Sequence, residues 1–415
     1  LTVKYLLFVL DNRRFLAFGL LLVFCSSFGQ TYFISLFGNH IRTEFALSHG
    51  DFGILYSLAT LGSAITMVWA GRLIDTIDLR VFSLSISAAL AGASFFMASA
   101  SSTVFLVIAL YTLRLAGQGL MGHASATSMA RYFEHQRGKA MSVAALGYPL
   151  GEAVMPLTAV VLVGAIGWRE TWLAIGTAMA LLLAPMVLWL LKGHGQRHHR
   201  LGERSRQGNQ VFRQRQWTRR EVLGDRRFYL VLPAVLAPPF ILTGLFFHQI
   251  HLASTKGWSL AWLASCFIGY AAATVISSLF SGQLVDRLGA SRLLPFYLLP
   301  LALALLALAV SNHPGVALFY MVTAGMTSGA SFTVVGAMWA EVYGVAHLGA
   351  IRALASALMV FSTALSPAAL GWMIDHGVSM EAIAWMFLAY IGGATALAVI
   401  SGLPSDRMEN YRRRP

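Results

Sequence analysis

Twelve apolar runs of helical length, separated by polar, Gly or Pro clusters, decide what this chain can become. They lie near residues 15–37, 52–74, 81–100, 103–125, 140–164 and 170–191, then 228–251, 260–282, 292–311, 315–338, 349–374 and 381–403. A helix that crosses a bilayer needs about 20 mostly apolar residues, and the runs reach that length. Composition agrees: 57% of the 415 residues are hydrophobic and only 11% charged. That is too little charge for the surface of an ordinary soluble enzyme or for a disordered chain. The expected fold class is an all-α integral membrane protein with twelve transmembrane helices. The first run is too long for the core of a secretory leader and reads as a retained helix.

A hydrophilic joint divides the runs into two sets of six. Residues 1–191 are expected to form one bundle, 192–227 a basic linker, and 228–415 a second bundle with a tail. The net charge of +13 would raise the question of nucleic acid in a soluble protein. Here position decides otherwise. Of the 30 Lys and Arg, 26 fall in loops on one side, Arg42, Arg169 and Lys256 fall on the other, and Arg114 lies within the membrane. Lys and Arg are retained on the cytoplasmic side, so both termini and the joint are expected inside an inner (plasma) membrane, with no nucleic-acid partner. Cys25 and Cys266 both sit in apolar runs, which argues against a disulfide framework or a thiolate metal site. No metal-ligand spacing, phosphate loop or nucleophile triad is visible, and His198-His199 falls in the basic joint, so no cofactor, metal or enzymatic activity is expected.

The two sets also resemble each other. Gly71-Arg-Leu73-Ile-Asp75 closes segment 2 and Gly282-Gln-Leu284-Val-Asp286 closes segment 8, 211 residues later. Recurrence at equivalent helix ends implies two related six-helix bundles. Asp286 is followed by Arg287 and Gly289, and the first copy by Thr76, Asp78 and Arg80. Segment 4 carries Arg114 and Gly117-Gln118-Gly119, followed by Arg131-Tyr132-Phe133 and Arg137-Gly-Lys-Ala140. With Gly147, Gly151, Pro156 and Gly167-Trp-Arg169, and the later run from Glu341 through Pro367 to Asp375, the chain resembles the major facilitator superfamily of secondary transporters over nearly its whole length. Within it, Tyr132-Phe133 and His347-Leu-Gly349-Ala-Ile351-Arg352 resemble the monocarboxylate and oxalate-formate branch, although segment 8 lacks the cation many members of that branch use there. The resemblance implies the major facilitator fold, two pseudo-symmetric six-helix bundles, with Gly71, Asp75, Arg80, Gly282, Asp286 and Arg287 in conformational gating.

A charge within the hydrocarbon costs roughly 2.5 to 3.5 kcal/mol on insertion scales, so it is paired or functional. Arg114 and Glu152 fall at a shared depth near the midplane. Helical spacing places Tyr111, Gln118, Gly122 and Ser125 with Arg114, and Tyr148 and Pro156 with Glu152. The two charges form either a structural bridge or a proton and substrate site, since the distance between an acid and a cation sets the acid's proton affinity. Gly147 and Gly151 form G-x-x-x-G, read first as close helix packing; their second reading resembles the Gly-Pro motif of exporters, with Tyr148 in place of the Gly before Pro149. The resemblance further implies that Gln30, Tyr32, His248 and Gln249, on the first helix of each half, line the substrate path, with His248 able to titrate near neutral pH. His40 and His251 fall where helices leave the membrane and read as a solvated mouth.

The expected function is alternating-access transport of a small organic solute, with a carboxylate first and proton coupling through Glu152 and Arg114. The expected partners are the small-molecule substrate, protons and the lipid bilayer, and the protein is expected to work as a monomer. The rivals are proton-driven efflux of drug-like compounds and a non-transporting sensor or enzyme on the same fold.

Overall fold

The computed structural model describes residues 3–133, 136–192, 217–344 and 347–402. It is all-helical among the described residues, and the chain divides into two compact units, Leu1–Gln210 and Val211–Pro415. Most of the expected linker, including His198-His199, lies outside the described residues, as does the tail from 403.

In the first unit a short helix α1 (Val3–Asp11) precedes α2 (Arg13–Gly29) and α3 (Thr31–Glu44). Then follow α4 (His49–Thr76), α5 (Leu79–Ser99), α6 (Thr103–Tyr132), α7 (Arg137–Ile166) and α8 (Trp168–Leu190). In the second, a short α9 (Arg219–Leu223) leads into α10 (Arg226–Phe247) and α11 (Gln249–Lys256). They are followed by α12 (Leu260–Leu288), α13 (Ala290–Leu293), α14 (Leu299–Val310), α15 (Gly315–Tyr343), α16 (Leu348–Asp375) and α17 (Met380–Ile400). Among the described residues ten of these helices are long and apolar enough to cross a membrane, α2 with α3 qualifies as a bent pair, and α14 is a shorter apolar helix. Each of the twelve apolar runs thus has its helix. Polar side chains start many of them: Ser48, Ser102, Ser259 and Ser379 each accept a backbone N–H of the first turn, which would otherwise be unsatisfied.

Two runs differ from the sequence reading. Segment 1, expected as one helix over 15–37, is bent by 46° between α2 and α3. Ser26–Gly29 tightens into a 3-10 turn and Gln30 is extended, with φ −81° and ψ 150°. The cause is contact with α6: a Cβ on Gly29 would lie 2.3 Å from the Leu113 carbonyl oxygen, and one on Gly117 2.8 Å from the Gly29 Cα. Two backbones touch here, and only glycine permits it. Opposite this contact α6 is wound as a π-helix over Arg114–Met121, a form that recurs at functional sites. Segment 9, expected over 292–311, reaches its apolar helix only at Leu299, after turns at 294–298.

Small residues also seat α7 on α2. A Cβ on Gly147 would lie 2.6 Å from the Leu20 carbonyl and one on Gly151 2.0 Å from Ser27 Oγ. This G-x-x-x-G pair is a packing motif, in line with the first of its two readings. In the second unit Gly325 and Gly329 do the same for α15 against α12, their hypothetical Cβ atoms falling 2.3 and 2.2 Å from the carbonyls of Tyr270 and Thr274. Pro238 within α10 has no N–H for the Ala234 carbonyl, and the Tyr297 hydroxyl donates to that carbonyl at 2.5 Å instead.

Candidate functional site

The break in segment 1 exposes backbone that an unbroken helix would cover, and Arg114 occupies it. Its side chain is 4% exposed. Nη1 donates to the Gly29 carbonyl at 3.0 Å, the last carbonyl before the extended Gln30. The guanidinium carbon stands 5.2 Å from the Tyr56 ring centroid, a cation–π contact in a buried setting. Tyr56 is fully buried on α4, and its hydroxyl shares a 2.8 Å hydrogen bond with Thr31 Oγ1 just beyond the break. Arg114 Nε is buried with no partner. Among the described residues no carboxylate forms an ion pair with Arg114. The edge that carries Nε and Nη2 is the one on which a guanidinium holds both oxygens of a carboxylate.

The structural bridge between Arg114 and Glu152 is therefore not made in this structure. Glu152 is half-buried on α7, and among the described residues it makes no hydrogen bond or ion pair. Its backbone carbonyl also lacks a helical donor, because Pro156, four residues on, has no N–H. Tyr32 is buried on α3, its hydroxyl 3.3 Å from where a Cβ of Gly151 would stand, so Tyr32 lies beside the turn that carries Glu152. Tyr148 fills the space left by Gly122, its hydroxyl 2.7 Å from the position of a Cβ there. Gln30 and Gln118 are half-buried, and the Gln118 backbone N lies 2.6 Å from where a Cβ of Gly29 would stand.

The single polar stripe expected along α6 is not intact. Tyr111 shares a 2.7 Å hydrogen bond with Thr66 of α4, whereas Ser125 donates to the Gly19 carbonyl of α2 at 2.8 Å. A π turn adds residues to the turn and shifts the register across it, a shift that 3.6-residue spacing does not anticipate.

In the second unit His248 is the residue at which α10 gives way to α11, and it is buried. Its Nε2 donates to the Pro367 carbonyl of α16 at 3.0 Å, and Gln249 beside it is 1% exposed. His40, by contrast, is exposed.

At the two repeated pentapeptides the copies diverge. Asp75 pairs with Arg131 of α6, whose Nη1 also donates to the Ile74 carbonyl at 3.3 Å. His123 Nε2 donates to the Gly71 carbonyl at 3.0 Å. Arg80, expected beside Asp75, instead donates to the Leu191 carbonyl at the end of α8. Asp286 and Arg287 are exposed and enter no ion pair among the described residues. Gly282 meets only Thr333, at 3.9 Å from its hypothetical Cβ, and Glu341 accepts the Ala290 N–H at 2.7 Å.

Sequence reasoning missed Tyr56, Thr31, Arg131 as the partner of Asp75, and His123. A signal for the first was present: Tyr56, Thr60 and Ser63 repeat at helical spacing in an otherwise apolar run and are all buried. Arg131 had no such signal, because the pairing of two helix ends 56 residues apart is set by tertiary structure.

Among the described residues ten helices and one bent pair are long and apolar enough to cross a membrane, and a buried guanidinium stands at the bend, the outline of a polytopic membrane protein. The family profile described as Major Facilitator Superfamily matches residues 19–269 and again 241–414, and the chain belongs to that superfamily, whose members are secondary transporters. Two crystal structures of a bacterial homolog to the human lysosomal transporter Spinster share the fold. The inward-facing, occupied form has a TM-score of 0.61 at 15% identity, with 97% of each chain covered. The inward-facing, unoccupied form has a TM-score of 0.58 at 15% identity, covering 97% of this chain and 98% of that one. At that identity the likeness shows the fold alone. A search of the curated proteins finds no match. The comparisons reach the superfamily and lend no support to the monocarboxylate and oxalate-formate branch.

Proposed function

We propose that this transporter moves a small organic carboxylate across the inner membrane, with both termini cytoplasmic, by alternating access, and that a proton travels with it. The observation that carries the reading is Arg114, a buried guanidinium bound to a neutral carbonyl and a neutral ring, with Nε left without a partner. An uncompensated buried charge is costly, and an anion that pairs with it recovers that cost. Glu152 supports the coupling: a half-buried acid without an ion pair, on the helix seated against α2, is free to change protonation as substrate arrives. When an anion occupies Arg114, a protonated Glu152 keeps the site's net charge low, so substrate and proton load together.

The test is counterflow in proteoliposomes loaded with unlabelled members of a panel of monocarboxylates, dicarboxylates, sugars, amino acids and cationic drugs. Exchange confined to carboxylates, with uptake driven by an inwardly directed proton gradient, is the expected result. Exchange of cationic drugs or sugars without carboxylates would overturn the substrate class.

A further inference from the structure

Ahead of the first span the chain builds a short helix with an exposed apolar edge. Helix α1 is interrupted at Asn12, with φ −111° and ψ 11°, and the Asn12 side chain donates back to the Phe8 carbonyl at 3.0 Å. Phe8 is 6% exposed: its ring packs edge-on against Phe133 at 5.4 Å, and Lys139 stands 5.8 Å from its centroid. Phe15, two residues after the charged Arg13, joins the same cluster through Tyr132 and Phe133. These contacts fix α1 against the turn between α6 and α7. Leu7 and Leu10, spaced one helical turn apart, are left 52% and 51% exposed.

The charged residues around this leucine edge are mostly basic. Among the described residues Arg13, Arg14, Arg137 and Lys192 are exposed and Lys139 half-exposed, against the exposed acids Asp11, Asp75 and Asp78, of which Asp75 is paired with Arg131. Arg14 stands 5.2 Å from the centroid of Trp189, itself 57% exposed at the end of α8. Asp78, on the same side of the unit, is already engaged by the Arg80 backbone N–H at 2.8 Å. An apolar helix edge flanked by cations and an indole is the pattern of an element lying in the headgroup layer.

We propose that α1 with Arg13, Arg14, Lys139 and Lys192 is a seat for anionic phospholipid. Leu7 and Leu10 enter the top of the acyl layer, and the cations take the headgroup phosphates. A polybasic surface is drawn to an anionic membrane through charges that salt screens, so the seat is sensitive to lipid charge and salt.

The full chain is reconstituted in nanodiscs of phosphatidylcholine alone or with one part in four of phosphatidylglycerol, with a spin label at Leu7→Cys. The native Cys25 and Cys266 are buried. The expected result is that adding phosphatidylglycerol raises oxygen accessibility at position 7, lowers accessibility to a water-soluble nickel complex, and raises Tm. High salt and the combined change R13Q/R14Q/K139Q/K192Q should each remove the difference. The quadruple variant gives up the Lys139–Phe8 and Arg14–Trp189 contacts in either lipid, so its readout is the change in Tm between the two lipids and not the Tm itself, and Leu7→Ser with Leu10→Ser should likewise lose that change. Equal responses in the two lipids, a label that stays water-exposed in both, or the same Tm rise from inorganic phosphate would overturn the proposal.

Discussion

The two units use the same clamp with its charges reversed. In the first, Glu44 at the end of α3 accepts Arg169 of α8 at 2.5 Å, and Arg169 also donates to the Ala100 carbonyl after α5 at 2.6 Å. In the second, Lys256 at the end of α11 donates to Glu381 of α17 at 2.6 Å and to Asn312 after α14 at 2.7 Å. Residues 44 and 256, 100 and 312, and 169 and 381 each stand 212 apart, one more than the gating pentapeptides. Position is kept and sign is exchanged, so the architecture asks for a joint among three helix ends and not for a particular acid. The middles of the units contrast differently. The first has a broken span, π segments in α6 and α8, and a buried Arg114. The second has two unbroken 29-residue helices, α12 and α15, and its buried cation among the described residues is Lys256 at a helix end. Structural repetition has been retained at the ends, while among the described residues the π segments and the buried guanidinium lie in the first half.

If chemistry is confined to the first unit, the largest effect belongs to Arg114→Ala. Both gradient-driven uptake and counterflow should fall by about 100-fold, equivalent to about 2.7 kcal/mol. The change removes the anion partner and frees the Gly29 carbonyl at the break. Arg114→Lys should recover only part, because an ammonium lacks the planar fork that holds both oxygens of a carboxylate and the flat face that rests on the Tyr56 ring. His248→Gln in the second unit should keep most counterflow, and a loss equal to that of Arg114→Ala would break the comparison. Glu152→Gln comes next: counterflow persists while accumulation driven by a pH gradient disappears, since a neutral amide stands in for the protonated carrier. Accumulation at the parent level in this variant would move the proton to another group, with His248 next to be tested.

The clamps give smaller effects on stability. The Lys256 side chain is fully buried and holds three acceptors, so Lys256→Met should cost roughly 2 to 3 kcal/mol by stranding them. Arg169 is 27% exposed against a Glu44 that is 42% exposed, and Arg169→Met should cost roughly 1 to 2 kcal/mol. A sharper trial inverts the first clamp: Glu44→Lys alone should lower Tm, and adding Arg169→Glu should restore most of it. Failure of that rescue would show that sign is fixed by surroundings rather than free to exchange.

What the sequence made legible follows the range of the forces concerned. Membrane spans are written in local hydrophobicity, so all twelve runs could be placed, and G-x-x-x-G at Gly147 and Gly151 announced a close helix contact. The break at Gln30 was not legible, because it is imposed by Gly117 of another helix almost 90 residues away. Arg114 stood out as a charge in an apolar run. Its actual partners, a carbonyl and an aromatic face, carry no charge by which sequence could have matched them, whereas Glu152, the obvious acid, remains apart.

The two repeated pentapeptides supply the smallest expected effect and the finest version of the comparison. Asp75 is tied to Arg131, and His123 holds the Gly71 carbonyl one turn earlier, so the first copy is engaged in this conformation. Asp286 and Arg287 make no ion pair among the described residues. A conformation is favoured only by interactions it makes and its alternative does not. Asp75→Asn therefore removes a bond from the present state, and Asp286→Asn removes one only from a state in which the second copy engages. An exposed pair is worth up to about 1 kcal/mol, or about 5-fold in an equilibrium. Each variant should slow turnover by no more than about that factor while substrate affinity stays within a few-fold. Their signs should differ: by double electron–electron resonance between labelled helix ends, Asp75→Asn should shift the population away from the present state and Asp286→Asn toward it. Shifts in the same direction would mean that the two copies engage together, and the asymmetry of the motifs would then have no part in the transport cycle.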